Sequence, residues 1–190
     1  MTSTAKSLTP IKHVDEVYEN SAVRIIANRN HPEIELAGLK IGPFEEGKEY
    51  DIKYWIAHEL ERAGIAHIRP EQQLDLRKLN NIHWKESGIV HAKQLSSLDP
   101  DFYPKLRRYL AGLKRGAIGN TEKSLEYQKA SRMAQDIVNC RLQKIVSLAS
   151  SPEQTNLTLK DMATEEHILY ENLHTLISEW KIGIIKETEE

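Results

Sequence analysis

Apolar and polar residues change period near residue 70 of this chain, and that change predicts two kinds of architecture. Before it, short stretches alternate, as half-buried strands do. Val23 to Ala27, Glu33 to Leu36, Leu39 to Ile41, Tyr50 to Lys53 and Ala66 to Arg69 all read as short strands. Between them, Tyr54 to Arg62 reads as one helix with Ile56, Leu60 and Ala63 on a common face.

After residue 70 the period becomes that of amphipathic helices. Leu76, Leu79 and Ile82 or His83 form a first stripe, and Ser87 to Ser97 reads as an extended connector. Asp99-Pro100 supplies an N-cap and an N1 proline. Leu98 and Tyr103 then fit the N′ and N4 positions of a hydrophobic staple. Phe102, Leu106, Tyr109 and Leu113 continue that helix, which Gly116 and Gly119 end. A long helix is predicted from about Thr121 to Ala149, its core stripe being Ala130, Met133, Ala134, Ile137, Val138, Leu142, Ile145 and Ala149. A last helix carries Leu169, Leu173, Leu176, Ile177, Trp180 and Ile184, capped by Thr164 or Thr158, with a fraying tail of Glu187, Glu189 and Glu190. The expected fold is α+β: a flexible leader over 1–15, a small β-rich domain with one helix over 16–70, and a helical, bundle-like domain over 71–190.

Composition narrows the class. The chain has 190 residues, 39% hydrophobic and 28% charged, as ordinary globular proteins do. It has no apolar run near the roughly 20 residues a membrane span needs, and MTSTAKSLTPIKH lacks the apolar core of a secretory signal. Cys140 stands alone, so no intrachain disulfide can form, and its place within a helix makes it a packed thiol. The net charge of −2 conceals blocks: residues 71–150 carry 14 basic and 8 acidic side chains, whereas residues 151–190 carry 3 and 9. Such blocks imply internal pairing or separate partner surfaces.

Candidate chemistry thins out on inspection. Gly42-Pro-Phe-Glu-Glu-Gly47-Lys48 approaches a phosphate loop, but Glu49 stands where a hydroxyl should. Pro43 lacks an N–H, and Glu45 and Glu46 would repel a polyphosphate. A turn between strands is the better reading. His58-Glu59-Leu60-Glu61-Arg62 begins like a zinc-protease helix but has Arg at the second ligand position. His167 and His174 are two turns apart, roughly 10 Å, too far to share a metal. The expectation is no catalytic residue, no metal and no cofactor. Lys105, Arg107, Arg108, Lys114 and Arg115, interleaved with Tyr103 and Tyr109, could track a phosphate backbone, although a solvated helix face explains them more simply. Tyr127, Trp180 and Ile184–Ile185 flank the main apolar faces, as partner-binding side chains do.

Particular residues also resemble the GINS replication-factor family. They are Glu33-Ile34-Glu35-Leu36, then Leu39-Lys40-Ile41-Gly42-Pro43-Phe44, then Tyr54-Trp55-Ile56-Ala57 opening a helix that ends near Ala63-Gly64. Pro70-Glu71 with Asp75-Leu76-Arg77-Lys78-Leu79, Asp101-Phe102-Tyr103 with Leu106 and Leu110, and Asn156-Leu157-Thr158-Leu159 resemble later family segments. The Leu-x-Ile-Gly-Pro-Phe core is the most specific of these. The resemblance implies an archaeal-type subunit, related to the eukaryotic Psf-two and Psf-three subunits. It further implies a hetero-tetramer with other GINS subunits, joined mainly through helical domains. That assembly would activate the replicative MCM helicase with a RecJ-like protein of the Cdc-forty-five class, and contact with primase or DNA polymerase is also implied. It would sit in the cytoplasm at an archaeal replication fork, or in the nucleus of a eukaryote. Tyr127, Leu169, Leu173, Leu176, Trp180 and Ile184 are then the expected subunit interface, with nucleic-acid contact weak or indirect. The alternative is a stand-alone nucleic-acid binder using the 105–115 cations.

Overall fold

The computed structural model describes the backbone of residues 4–88, 94–151 and 159–185, with side chains from residue 11 onward. Two compact units divide the chain, Met1–Leu74 and Asp75–Glu190. The first is β-rich and the second is helical, giving the α+β class.

In the first unit, β1 (Ala22–Ala27) is the centre of a three-stranded antiparallel sheet, between β4 (Glu49–Lys53) and β5 (Ala66–Ile68). Its alternation buries Val23, Ile25 and Ala27 and turns Arg24 to solvent, where the guanidinium meets Asp51 at 2.9 Å. Register sets Val23 opposite Ile52, and Ile25 opposite Tyr50 on one side and Ile68 on the other. Helix α2 (Tyr54–Arg62) covers the inward face with Ile56, Ala57 and Leu60. A separate hairpin joins β2 (Ile34–Leu36) to β3 (Leu39–Ile41). Its two turn residues, Ala37 and Gly38, both have positive φ, the geometry that matches the twist of paired strands.

The expected leader differs from what folds. Helix α1 spans Thr4–Glu19, and Val14 and Tyr18 are buried, one helical turn apart. The Tyr18 ring lies 4.7 Å from that of Tyr54. Leu8, Ile11, Val14 and Tyr18 recur at three- and four-residue spacing, a helical period present in the sequence itself.

The second unit holds α3 (Leu76–Gly88), α4 (Phe102–Gly116), α5 (Thr121–Ala149) and α6 (Thr164–Ile185). Asn120 caps α5, its side chain accepting the Lys123 N–H at 3.0 Å. Several local expectations shift. Helix α4 starts after a turn, so Asp101 and not Asp99 stands at the N-cap, and Leu98 and Tyr103 do not form the expected staple pair. Both carboxylates face Lys105 instead, and the Asp99 carbonyl accepts the Phe102 N–H. The predicted connector begins late, because Ser87 and Gly88 still belong to α3. Thr164 opens α6 as its first residue, and its hydroxyl donates to the Pro100 carbonyl. Thr158, most of the Asn156–Leu159 segment and the tail of Glu187, Glu189 and Glu190 lie outside the described residues.

The largest departure is on α5. Ala130, Met133, Ala134, Ile137, Ile145 and Ala149 are buried as the period predicts. Val138 and Leu142 are not; they are 40% and 41% exposed. Arg141 and Lys144 occupy the interior in their place, at 0% and 6% exposed.

Candidate subunit interface

Among the described residues, four buried charges organise the helical unit. The Arg141 guanidinium donates through Nε and Nη2 to the two Glu166 oxygens, at 2.6 and 2.7 Å. Nη1 donates to Glu86 and to the Ser96 carbonyl, and Nη2 also reaches the Asp161 carbonyl. Lys144 Nζ donates to the other Glu86 oxygen at 2.6 Å. Tyr103 donates its hydroxyl proton to Glu166, which also accepts the Ala163 N–H at the start of α6. Two cations and two carboxylates thus balance, and they tie α3, α4, α5, α6 and the segment around Ser96 to one point.

The electrostatics follow from burial and pairing. Burial pushes the Glu86 carboxyl up, but Lys144, Ser96 and Arg141 together outweigh it and hold the group below its ordinary value. Burial, then the Glu166 carboxylate, pushes the Tyr103 phenol well above its usual range, so it stays a donor. A carboxyl depressed in the folded state stabilises the fold above its unfolded value and stops doing so as pH falls through its folded value. Denaturation midpoints should therefore decline as pH drops below about 4.3, the ordinary glutamate range. A urea titration that shows no loss in acid would mean the Glu86 carboxyl is not held ionised.

Around this hub the unit leaves apolar side chains uncovered. Arg141 meets Glu166, and farther along Lys181 donates to the Ser150 carbonyl, so α6 runs beside α5 in the same sense. With about 100° between successive residues, Val138, Leu142 and Val146 form a line on α5. Leu169, Leu176 and Trp180 form a line on α6 that turns to the same side of the helix pair. The α6 line is exposed, with Leu176 at 63% and Trp180 at 64%. Ile182, Ile184 and Ile185 continue the exposure toward the end of α6.

The expected interface residues therefore separate. Leu169, Leu176, Trp180 and Ile184 are exposed on α6. Leu173 packs with Ile177 and Leu159 against the core of Leu95, Ile145, Leu148, Met162 and Tyr170. Tyr127 is half-buried and lies eleven residues before Val138, roughly 17 Å along the α5 axis. Periodicity alone places Val138 and Leu142 in the core stripe, whereas both are surface residues. The charged pair Arg141 and Lys144, set on the buried side of the helix, was the available signal.

The basic group fares differently. Lys105 pairs with Asp101 at 3.0 Å, Arg107 pairs with Glu165 at 2.8 Å, and Arg108 donates to the Pro104 carbonyl. Lys114 and Arg115 stand exposed in the last turn of α4, where cations favour the helix dipole. The Tyr109 phenol, pushed up to about 12 by burial and by Glu126, remains protonated.

Of the Gly42–Glu49 stretch, residues 42–48 form the loop between β3 and β4, and Glu49 is the first residue of β4. The N–H groups from Phe44 to Lys48 are committed within the domain. Glu45 donates to the Tyr50 hydroxyl, Glu46 to Asn30, Gly47 to the Ala27 carbonyl and Lys48 to the Glu45 carbonyl. Lys48 Nζ is paired with Glu45 at 2.6 Å. Phe44 is buried in the sheet core, and a Cβ on Gly42 would sit 3.3 Å from its ring. Among the described residues, no group of three His, Cys, Asp or Glu side chains could hold a metal, and no helix is long and apolar enough to cross a membrane.

Comparison with known families matches both units in order. A family model for the PSF2 N-terminal domain matches residues 13–69. A model for the GINS complex protein helical bundle domain matches residues 73–185, more than half the chain. A search of curated proteins returned no match.

Proposed function

The chain belongs to the GINS family, with its β-rich domain ahead of its helical bundle, and on that premise we propose that it works by binding and catalyses nothing. Its role is that of one subunit of a hetero-oligomeric GINS complex. That complex holds the replicative MCM helicase and a RecJ-like partner of the Cdc-forty-five class in the form that unwinds DNA. A ligand shifts a conformational equilibrium only by its differential affinity for the two states. A subunit of this kind therefore acts through surfaces, and the reading assigns that role to the α5/α6 face. What supports it is the run of exposed Leu169, Leu176, Trp180 and Ile184 beside Val138 and Leu142 on a unit of this family. Large contiguous apolar patches of this sort mark partner sites on soluble proteins. Primase or polymerase contact, and a place at an archaeal or nuclear replication fork, belong to the same reading.

Direct DNA binding through the 105–115 cations is less favoured, because Lys105, Arg107 and Arg108 are spent on partners within the chain. One experiment separates the two. The chain is co-expressed with a sister GINS subunit for native mass measurement, and the chain alone is titrated with duplex DNA at several salt concentrations. A stable mixed particle and weak DNA affinity are expected. A solitary monomer that binds DNA tightly, with a steep salt slope, would reverse the assignment.

A further inference from the structure

Helix α6 has two apolar sectors, and only one is buried. Tyr170 and Ile177 lie along one line, Leu169, Leu176 and Trp180 along another about a quarter of a turn away, with Leu173 between them. Tyr170 is buried, and Ile177 and Leu173 pack on the core beside it. The second line is left to solvent. Both lines are large and apolar. The hydrophobic effect is non-directional and scales with area, so it does not by itself choose between them.

Glu166 breaks the tie. It lies on the Tyr170 side of the helix, and its carboxylate takes Arg141 Nε and Nη2, the Tyr103 hydroxyl and the Ala163 N–H. Turning α6 to bury the Trp180 line would carry Glu166 away from Arg141. The guanidinium would then keep Glu86 but lose its other carboxylate, inside a unit where Arg141 is fully buried. Removing one partner of a buried ion pair is strongly destabilising, whereas apolar replacement of the whole cluster is often neutral or stabilising. The cluster therefore penalises the wrong seating more than it strengthens the right one.

We infer that the Glu86–Arg141–Lys144–Glu166 hub is a conformational selector that fixes which apolar sector of α6 is buried, and so keeps the Leu169–Leu176–Trp180 line outward. The selection is a property of the chain alone; only the use of the outward line rests on the proposed function.

Thiol labelling of the full-length chain tests it. In a Cys140→Ala background, Leu176→Cys and Ile177→Cys report the outward and inward sectors with a maleimide. With the native hub, the Leu176→Cys site should react at least about tenfold faster, because the other needs local opening. The apolar-hub chain carries Glu86→Leu, Arg141→Met, Lys144→Met and Glu166→Leu. It should keep its helix content while the ratio falls to within about twofold, as both seatings become populated. A folded apolar-hub chain that keeps the tenfold ratio would overturn the inference. So would an apolar-hub chain that cannot fold, since the charges would then supply stability instead of choice. Loss of sister-subunit pairing is a separate readout. A native-hub chain with the expected ratio but no pairing would count against the proposed function and leave the selector intact.

Discussion

Arg141→Met is expected to destabilise the helical unit by about 3–5 kcal/mol, because it strands Glu86 and Glu166 in the interior with one cation between them. Domains have roughly 5–15 kcal/mol of stability in all, so much of the margin would go. The mechanism lies in satisfaction more than in attraction. The guanidinium meets two carboxylates and two backbone carbonyls at once, from elements that are distant in sequence. Methionine fills similar space but answers none of them. Urea unfolding followed by tryptophan fluorescence in a Trp55→Phe background reads the helical unit through Trp84 and Trp180. An unchanged midpoint would show that the carboxylates find water or other donors, and that the hub is not sealed.

Leu176→Asp combined with Trp180→Asp should leave the fold intact and abolish subunit pairing. Both side chains are mostly solvent-exposed in the isolated chain, and substitutions at such positions usually change stability by no more than about 0.5 kcal/mol. At an interface, a buried Trp is often worth about 2 kcal/mol or more. That is roughly thirtyfold in affinity for Trp180 alone, before any cost of burying two new carboxylates. Leu173→Asp gives the contrast, since Leu173 packs on the core of Ile145, Leu148 and Tyr170. Losing a buried large side chain costs about 2–5 kcal/mol, so this variant should unfold the helical unit. Circular dichroism with native mass measurement distinguishes the outcomes. Equal loss of fold in both variants would mean that the Trp180 line is core.

The sequence displayed most of the backbone plan and hid most of the chemistry. Alternation exposed β1 and its partners, because a sheet with one solvated face must alternate. Helices α2 and α5 ended where periodicity and breakers placed them. The β3–β4 loop declared itself through Pro43 and its acidic residues, and its N–H groups from Phe44 to Lys48 have partners within the domain. The hub was invisible for a simple reason. Hydrophobic periodicity counts only apolar residues toward the core, so it places Val138 and Leu142 inward and passes over Arg141 and Lys144. Buried charges are legible only as partners, and Glu86 and Glu166 lie 55 and 25 residues from Arg141. Helix α6 forms as its period predicts, but two apolar sectors share that period, which does not state which one is core. The family resemblance pointed to the GINS family where residue chemistry alone only removed alternatives.

Oxidative footprinting of Trp180 and Leu176, in the free chain and in the particle formed with a sister GINS subunit, tests the central claim most directly. Strong protection of both residues on assembly, with Trp84 on α3 still reactive, is the predicted result. A particle that forms while Trp180 and Leu176 react as fast as in the free chain would contradict it.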